Sequence, residues 1–219
     1  MGQITAQQII DKARIILQDA DKTRWTDPEL LSWLNAGQRE ICVYKPDAYV
    51  VNESVNLVPG TKQSLPVGGV TLISVMRNGA NGAVKNIDRR ILDEQIPNWH
   101  ASNQVAGVTN FMFDPRDQKR YYVYPPAAPG ASLEIIYAKT PAEIAIGATI
   151  LVDDVFEPAL MDYILFRAYS KDVDYAGDDG RAASHLGKFV SLLAGKDAGE
   201  AAAEAVAVIR RANSAVPQR

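Results

Sequence analysis

The chain has 219 residues, 47% of them hydrophobic and 22% charged, enough for one substantial core or a core with a satellite lobe. A formal net charge of -3 and a pI of about 5.4 argue against a protein that coats nucleic acid. The single cysteine, Cys42, excludes an internal disulfide framework and reads as a packed thiol on a helix. No apolar run approaches the ~20 residues that span a bilayer, and MGQITAQQII lacks the basic and apolar regions of a signal peptide. A soluble protein made in the cytoplasm, with no membrane partner, is expected.

The first helix opens with a capping box, Thr5 and Gln8, flanked by Ile4 and Ile9 as a hydrophobic staple. Ile9, Ala13, Ile16, Leu17 and Ala20 form its apolar face. A short polar linker at 19–23 predicts a helical hairpin with the next segment, residues 24–46.

That second segment is the best specified in the chain. Thr26 and Glu29 have capping-box spacing, Asp27 and Glu29 place negative charge at the positive end of the helix dipole, and Pro28 is tolerated in the first turn. Trp25 and Leu30 are spaced as a staple. Leu30, Trp33, Leu34, Gly37, Ile41 and Tyr44 make the apolar stripe, with Ser32, Asn35 and Arg39 on the wet side. Gly37 on that stripe implies a close approach by something else, because glycine there costs about 1 kcal/mol against alanine. Trp25, Thr26, Glu29, Leu30 and Trp33 are the expected fold-specifying residues, and Pro46 ends the helix.

After Pro46 the period becomes alternating. Val51, Val55 and Leu57 lead into Pro59–Gly60, suited to a type II turn with residues 62–65 returning. Residues 70–77 read as a more buried strand, followed by the Asn78–Gly79 and Asn81–Gly82 turn signals, after which 83–87 pair back. Residues 87–102 read as a short helix and a loop. Residues 110–113 and 120–125 flank DPRDQK as a hairpin, and 133–138 make a third strand of an antiparallel meander.

Helical patterning resumes near Asp154, a cap with Glu157 three residues on. Leu160, Met161, Ile164, Leu165 and Ala168 form a stripe widened by Tyr163 and Phe166. GDDG at 177–180 breaks it, residues 181–194 resume with Leu186, Phe189, Val190 and Leu193, and an alanine-rich helix covers 197–212. The expected fold is α+β: a bundle of the N-terminal hairpin (1–47) and the C-terminal helices (153–212), an inserted β-rich region (48–152), and a flexible tail (213–219).

Chemistry is sparse. His100 and His185 lack any ligand spacing, and no phosphate loop, dinucleotide fingerprint or nucleophile elbow occurs, so neither metal nor cofactor is expected. The cluster Asp153, Asp154 and Glu157 would carry a cell-wall hydrolase reading, although helix capping accounts for it more simply. Tyr121, Tyr122 and Tyr124, near Arg116, Lys119 and Arg120, would carry a nucleic-acid-binding reading by base stacking; alternating aromatics on a hairpin fit core or interface better. No enzyme is expected.

Four stretches carry a resemblance. RWTDPELLSWLNAGQREI at 24–41, FDPRDQKRYYVYPPA at 113–127, YILFRAYSKDVDYAG at 163–177 and RAASHLGKF at 181–189 resemble, in that order, phage head-to-tail adaptor proteins. The resemblance implies a structural virion protein at the head–tail interface. It implies a homo-oligomeric ring, often dodecameric, that joins the portal protein to a tail or nozzle protein. Genomic DNA would pass through it without sequence-specific binding. It further implies a C-terminus docked on the portal, with Val206, Ile209, Arg210, Arg211, Val216 and Arg219 as interface candidates. The loop tips with Asn78, Asn81, Asp114, Arg116, Asp117 and Lys119 would face the tail.

Overall fold

The computed structural model describes residues 3–171 and 180–195. The protein is α+β, and the chain divides into two compact units. One is built from residues up to Lys45 and from Glu143 onward; the other is Pro46–Ala142.

In the first unit, α1 (Ala6–Leu17) starts at the predicted capping box: Gln8 N–H donates to Thr5 Oγ1 at 3.3 Å and Thr5 N–H to Gln8 Oε1 at 2.9 Å. The N–H groups of Ala6 and Gln7, which a helix start leaves unpaired, donate to Ala148 O and Ile146 O at 2.9 Å. Ile9, Ala13 and Leu17 are buried as predicted, and Ala6 and Ile10 are buried with them, whereas Ile16 and Ala20 are exposed. The helix stops where Gln18 turns left-handed at φ 55°.

The linker to α2 (Asp27–Tyr44) folds around a buried carboxylate. Asp19 accepts from the N–H groups of Thr23, Arg24 and Trp25 at 3.0–3.1 Å and pairs with buried Arg14 at 3.0 Å. Arg14 also reaches Asp27 at 2.7 Å, as does Lys22. Burial would raise the Asp19 carboxyl, but the three backbone donors outweigh it and hold the group below its ordinary value. Hydrogen bonds from Lys22 and then Arg14 lower Asp27.

The predicted box at the start of α2 does not form. Thr26 has N-cap backbone geometry, but its side chain makes no capping bond. The reason is competition, because Asp27 is held by Arg14 and Lys22, and Glu29 reaches Lys171 at 2.7 Å instead of back to the cap. Trp25 and Leu30 are buried and Trp33 is half-buried.

Helix α4 (Glu157–Lys171), entered through a 3-10 turn at Asp154–Phe156, packs on both α1 and α2. Leu160, Tyr163, Ile164, Leu165 and Ala168 are buried, as the stripe predicts. Gly37 is where α4 comes closest: a Cβ there would lie 3.0 Å from Tyr163 Cδ1. Residues 180–195 are helical (α5), with Ala182, Phe189 and Leu193 buried and Leu186 and Val190 partly exposed. Phe189 meets the rings of Tyr44 and Tyr163 at 6.1 and 5.3 Å.

One further correction concerns the wet face of α2. Asn35 is buried, donating to Ile144 O at 3.2 Å and accepting from Ile144 N–H at 3.1 Å. Fully buried Gln38 accepts from Leu151 N–H at 2.7 Å. These amides strap the 143–151 segment to the helix.

In the second unit, the expected meander is replaced by two sheets. β1 (Val50–Asn56) and β3 (Gly69–Asn78) flank β7 (Ser132–Lys139), all antiparallel. The other sheet runs β2 (Gly60–Ser64), β6 (Arg120–Ala127), β5 (Asn110–Phe113), β4 (Lys85–Asn86), with β4 parallel to β5. Residues 50–65 are therefore not a hairpin, since β1 pairs with β7 and β2 with β6. Gly60, at φ 112°, redirects the chain from one sheet to the other. Likewise 132–139 is the centre of the first sheet rather than a third strand beside the 110–125 hairpin, and 83–87 yields only a bridge to β3 and the short β4. Leu72, Val75, Val108, Phe111, Tyr121, Val123, Leu133, Ile135 and Tyr137 form the core of this unit. Tyr137 donates to Glu53, and burial followed by that carboxylate pushes its phenol upward.

Candidate functional site

β5 and β6 form the predicted hairpin, with DPRDQK as its tip. Asp114 organises the turn: its Oδ1 accepts from Arg116 N–H at 2.9 Å, and its carbonyl accepts from Asp117 N–H at 2.9 Å. Asp117 O then accepts from Arg120 N–H at 3.2 Å. Asp114, Arg116, Asp117 and Lys119 are all exposed.

The alternation of β6 sends its tyrosines to two places. Tyr121 points into the main core, and burial pushes its phenol up to about 12. Tyr122 and Tyr124 pack on the other side, edge-on to Trp99 at 6.2 and 6.4 Å. Trp99, fully buried, belongs to the second part of 87–102, which is a short helix, α3 (Arg89–Gln95), and a 3-10 turn. Its indole N–H donates to Asp93 at 2.9 Å, and His100 stacks on it while bonding Thr61 Oγ1 at 2.8 Å. The tyrosines thus serve packing. Base stacking on Tyr121 has no exposed ring to use.

This second cluster walls a groove of about 810 Å³. Ile87, Met112, Phe113 and Tyr122 supply its apolar lining, and Asp88, Arg89, Arg90, Asp114 and Arg116 its exposed charged rim. Asp88 accepts from Arg90 N–H at 2.9 Å, and Arg89 pairs with Asp93 at 3.2 Å. The guanidinium groups of Arg90 and Arg116 have no carboxylate partner among the described residues. A shallower depression of about 420 Å³ shares Pro115 and Arg116 and continues along Lys119 and Arg120. Arg89 and Arg90 were not among the expected interface residues; the basic pair before an apolar residue, RRIL, was the available signal.

The other predicted tip differs. Asn78 is buried: its Oδ1 accepts from the N–H groups of Ala80 and Gly82 at 3.0 and 2.9 Å, and its Nδ2 donates to Val108 O at 2.8 Å. Asn81 is exposed at φ 61° and accepts from Arg77 at 3.3 Å. Val206, Ile209, Arg210, Arg211, Val216 and Arg219, with the 197–212 helix and the 213–219 tail, lie outside the described residues.

The carboxylates weighed for hydrolysis have structural partners. Asp153, not Asp154, caps the 3-10 turn through Val155 N–H at 3.0 Å. Asp154 is drawn off to the N–H groups of Gln3 and Ile4 at 2.8 and 3.2 Å, and Glu157 pairs with Lys12. His185 bonds Asp162 at 2.7 Å. Among the described residues no cluster of His, Cys, Asp and Glu could hold a metal ion, and no helix is long and apolar enough to cross a membrane.

The comparison with protein families places this α+β chain. The chain belongs to the SU10 adaptor protein family, which matches residues 4–213 and is a family of phage head-to-tail adaptors. It is a phage structural adaptor protein. Comparison with curated proteins gives no match.

Proposed function

We propose that the protein forms a homo-oligomeric ring, dodecameric in the expected case, between the portal and the tail, and lines the channel through which DNA passes. The family match over residues 4–213 carries this reading. The helices of the first unit act as a bundle that keeps each subunit rigid. Val206, Ile209, Arg210, Arg211, Val216 and Arg219 dock on the portal. The exposed tips with Asn81, Asp114, Arg116, Asp117 and Lys119 meet the tail or nozzle protein, and Asn78 shapes the turn that presents Asn81. A net charge of -3 per copy, repeated around a closed ring, favours a lumen that repels the phosphate backbone.

Incubation of the purified chain with portal rings, followed by co-sedimentation and electron microscopy, tests this. The expected result is a second ring stacked on the portal at a fixed ratio of subunits. A chain that stays in the supernatant with portal present overturns it.

A further inference from the structure

We infer that the arginine-rimmed groove of one copy receives residues 172–179 of the next copy, so that the contact closing the ring pairs Arg90 and Arg116 with an aspartate-rich segment. The inference rests on the ring reading, because a closed ring needs two different patches of one chain that complement each other.

Three observations support it. First, the guanidinium groups of Arg90 and Arg116 make no ion pair among the described residues, while Asp88 and Asp114 on the same rim are each turned to a backbone N–H of their own turn. Second, the lining beneath the rim is apolar and aromatic, through Met112, Phe113 and Tyr122, so the fitting ligand combines carboxylates with an apolar or aromatic side chain. Third, the chain itself supplies that composition in DVDYAGDD, where Asp172, Asp174, Asp178 and Asp179 surround Val173 and Tyr175. Carboxylates meet guanidinium groups in paired hydrogen bonds that fix register as well as charge. Duplex DNA fits the groove less well: its phosphates form an unbroken row of charge, whereas Asp88 and Asp114 interrupt the positive rim.

The direct probe is a fluorescent peptide of residues 170–181, titrated with full-length chain carrying Asp172→Asn, Asp174→Asn, Asp178→Asn and Asp179→Asn, which removes the competing segment. Saturable binding is expected, weakened at least about tenfold when Arg90→Glu and Arg116→Glu are added. Both arginines are exposed, so these variants retain the parent's circular dichroism and melting temperature. No binding, equal binding of a peptide with asparagine at the four positions, or displacement by duplex DNA each overturns the inference.

A mixing experiment separates copy-to-copy from internal pairing. The four-asparagine chain and the double-arginine variant each stay monomeric alone, and together give a one-to-one complex in analytical ultracentrifugation. No complex on mixing overturns the inference. The ring reading stands or falls separately: wild-type rings on portal alongside equally good rings of the double-arginine variant would sink the groove contact alone. Failure of wild type on portal, with peptide binding intact, would sink the ring alone.

Discussion

Gly37 of α2 faces Tyr163 of α4 so closely that a methyl group at position 37 would lie 3.0 Å from Tyr163 Cδ1 and 3.2 Å from Leu160 Cδ2. Two effects oppose each other at this site. Alanine gains about 1 kcal/mol of helix propensity, and the crowding it causes costs a similar amount. Gly37→Ala is therefore expected to change stability by less than about 1 kcal/mol, whereas Gly37→Val, with two more methyls and a smaller propensity gain, costs about 2–4 kcal/mol. Urea denaturation of both variants checks the contrast. Equal midpoints would mean α4 yields at this crossing.

The two N-caps offer a second contrast. Thr5 makes a reciprocal box with Gln8, and Thr26 makes no side-chain bond. Thr5→Ala is expected to cost about 1 kcal/mol and Thr26→Ala less than about 0.5 kcal/mol, although both residues hold the same position in a helix start. Thermal melts distinguish them, and a larger loss at Thr26 would contradict the observed bonding.

Asp19 links stability to pH. Its carboxyl is held below the ordinary 3.8, so the folded form binds a proton less readily than the unfolded form. The stabilisation is complete above about pH 5 and is lost as pH falls below the ordinary carboxyl value toward the folded one. Asp19→Asn removes the charge beside buried Arg14 and is expected to cost about 3 kcal/mol at pH 7 and progressively less as the pH falls below 3.8. Denaturation curves across that range test the sign. A constant difference would show that Asp19 acts by shape alone.

Asn35 provides a fourth test. Asn35→Ala leaves both the N–H and the carbonyl of Ile144 without a partner and should cost about 2–3 kcal/mol. Hydrogen exchange at Ile144 should rise by more than exchange at Leu133 in the other unit, because the lost bonds hold only the 143–151 strap. Unchanged protection at Ile144 would contradict the assignment.

The helices were legible because their information is local. Cap spacing at Thr5 and the apolar period of α2 and α4 each lie within a few turns of chain. Where local rules misled, a distant partner had intervened. Asn35 and Gln38 look wet by residue type, and only the arrival of residues 143–151 explains why they are buried. Thr26 and Glu29 have the right spacing for a box, yet Glu29 meets Lys171, which is 142 positions away.

Strands suffered more, since turn signals specify where a chain bends and not which strand it joins. Pro59–Gly60 does mark a bend, but β7, far downstream, fills the place beside β1. The groove was half visible for the same reason. The Asp114–Arg120 tip is a local turn, whereas the opposing arginines come from a segment whose position depends on Trp99 settling against Tyr122 and Tyr124.

The first and last strands of the Pro46–Ala142 unit lie side by side: Val50 pairs with Ala138, and Lys139 N–H donates to Tyr49 O at 3.0 Å. An insert whose two ends meet is a cassette. Its loops can lengthen, shorten or change surface while the gap between its two ends stays the same. Variation within the β-unit therefore leaves the points where the chain enters and leaves it in place.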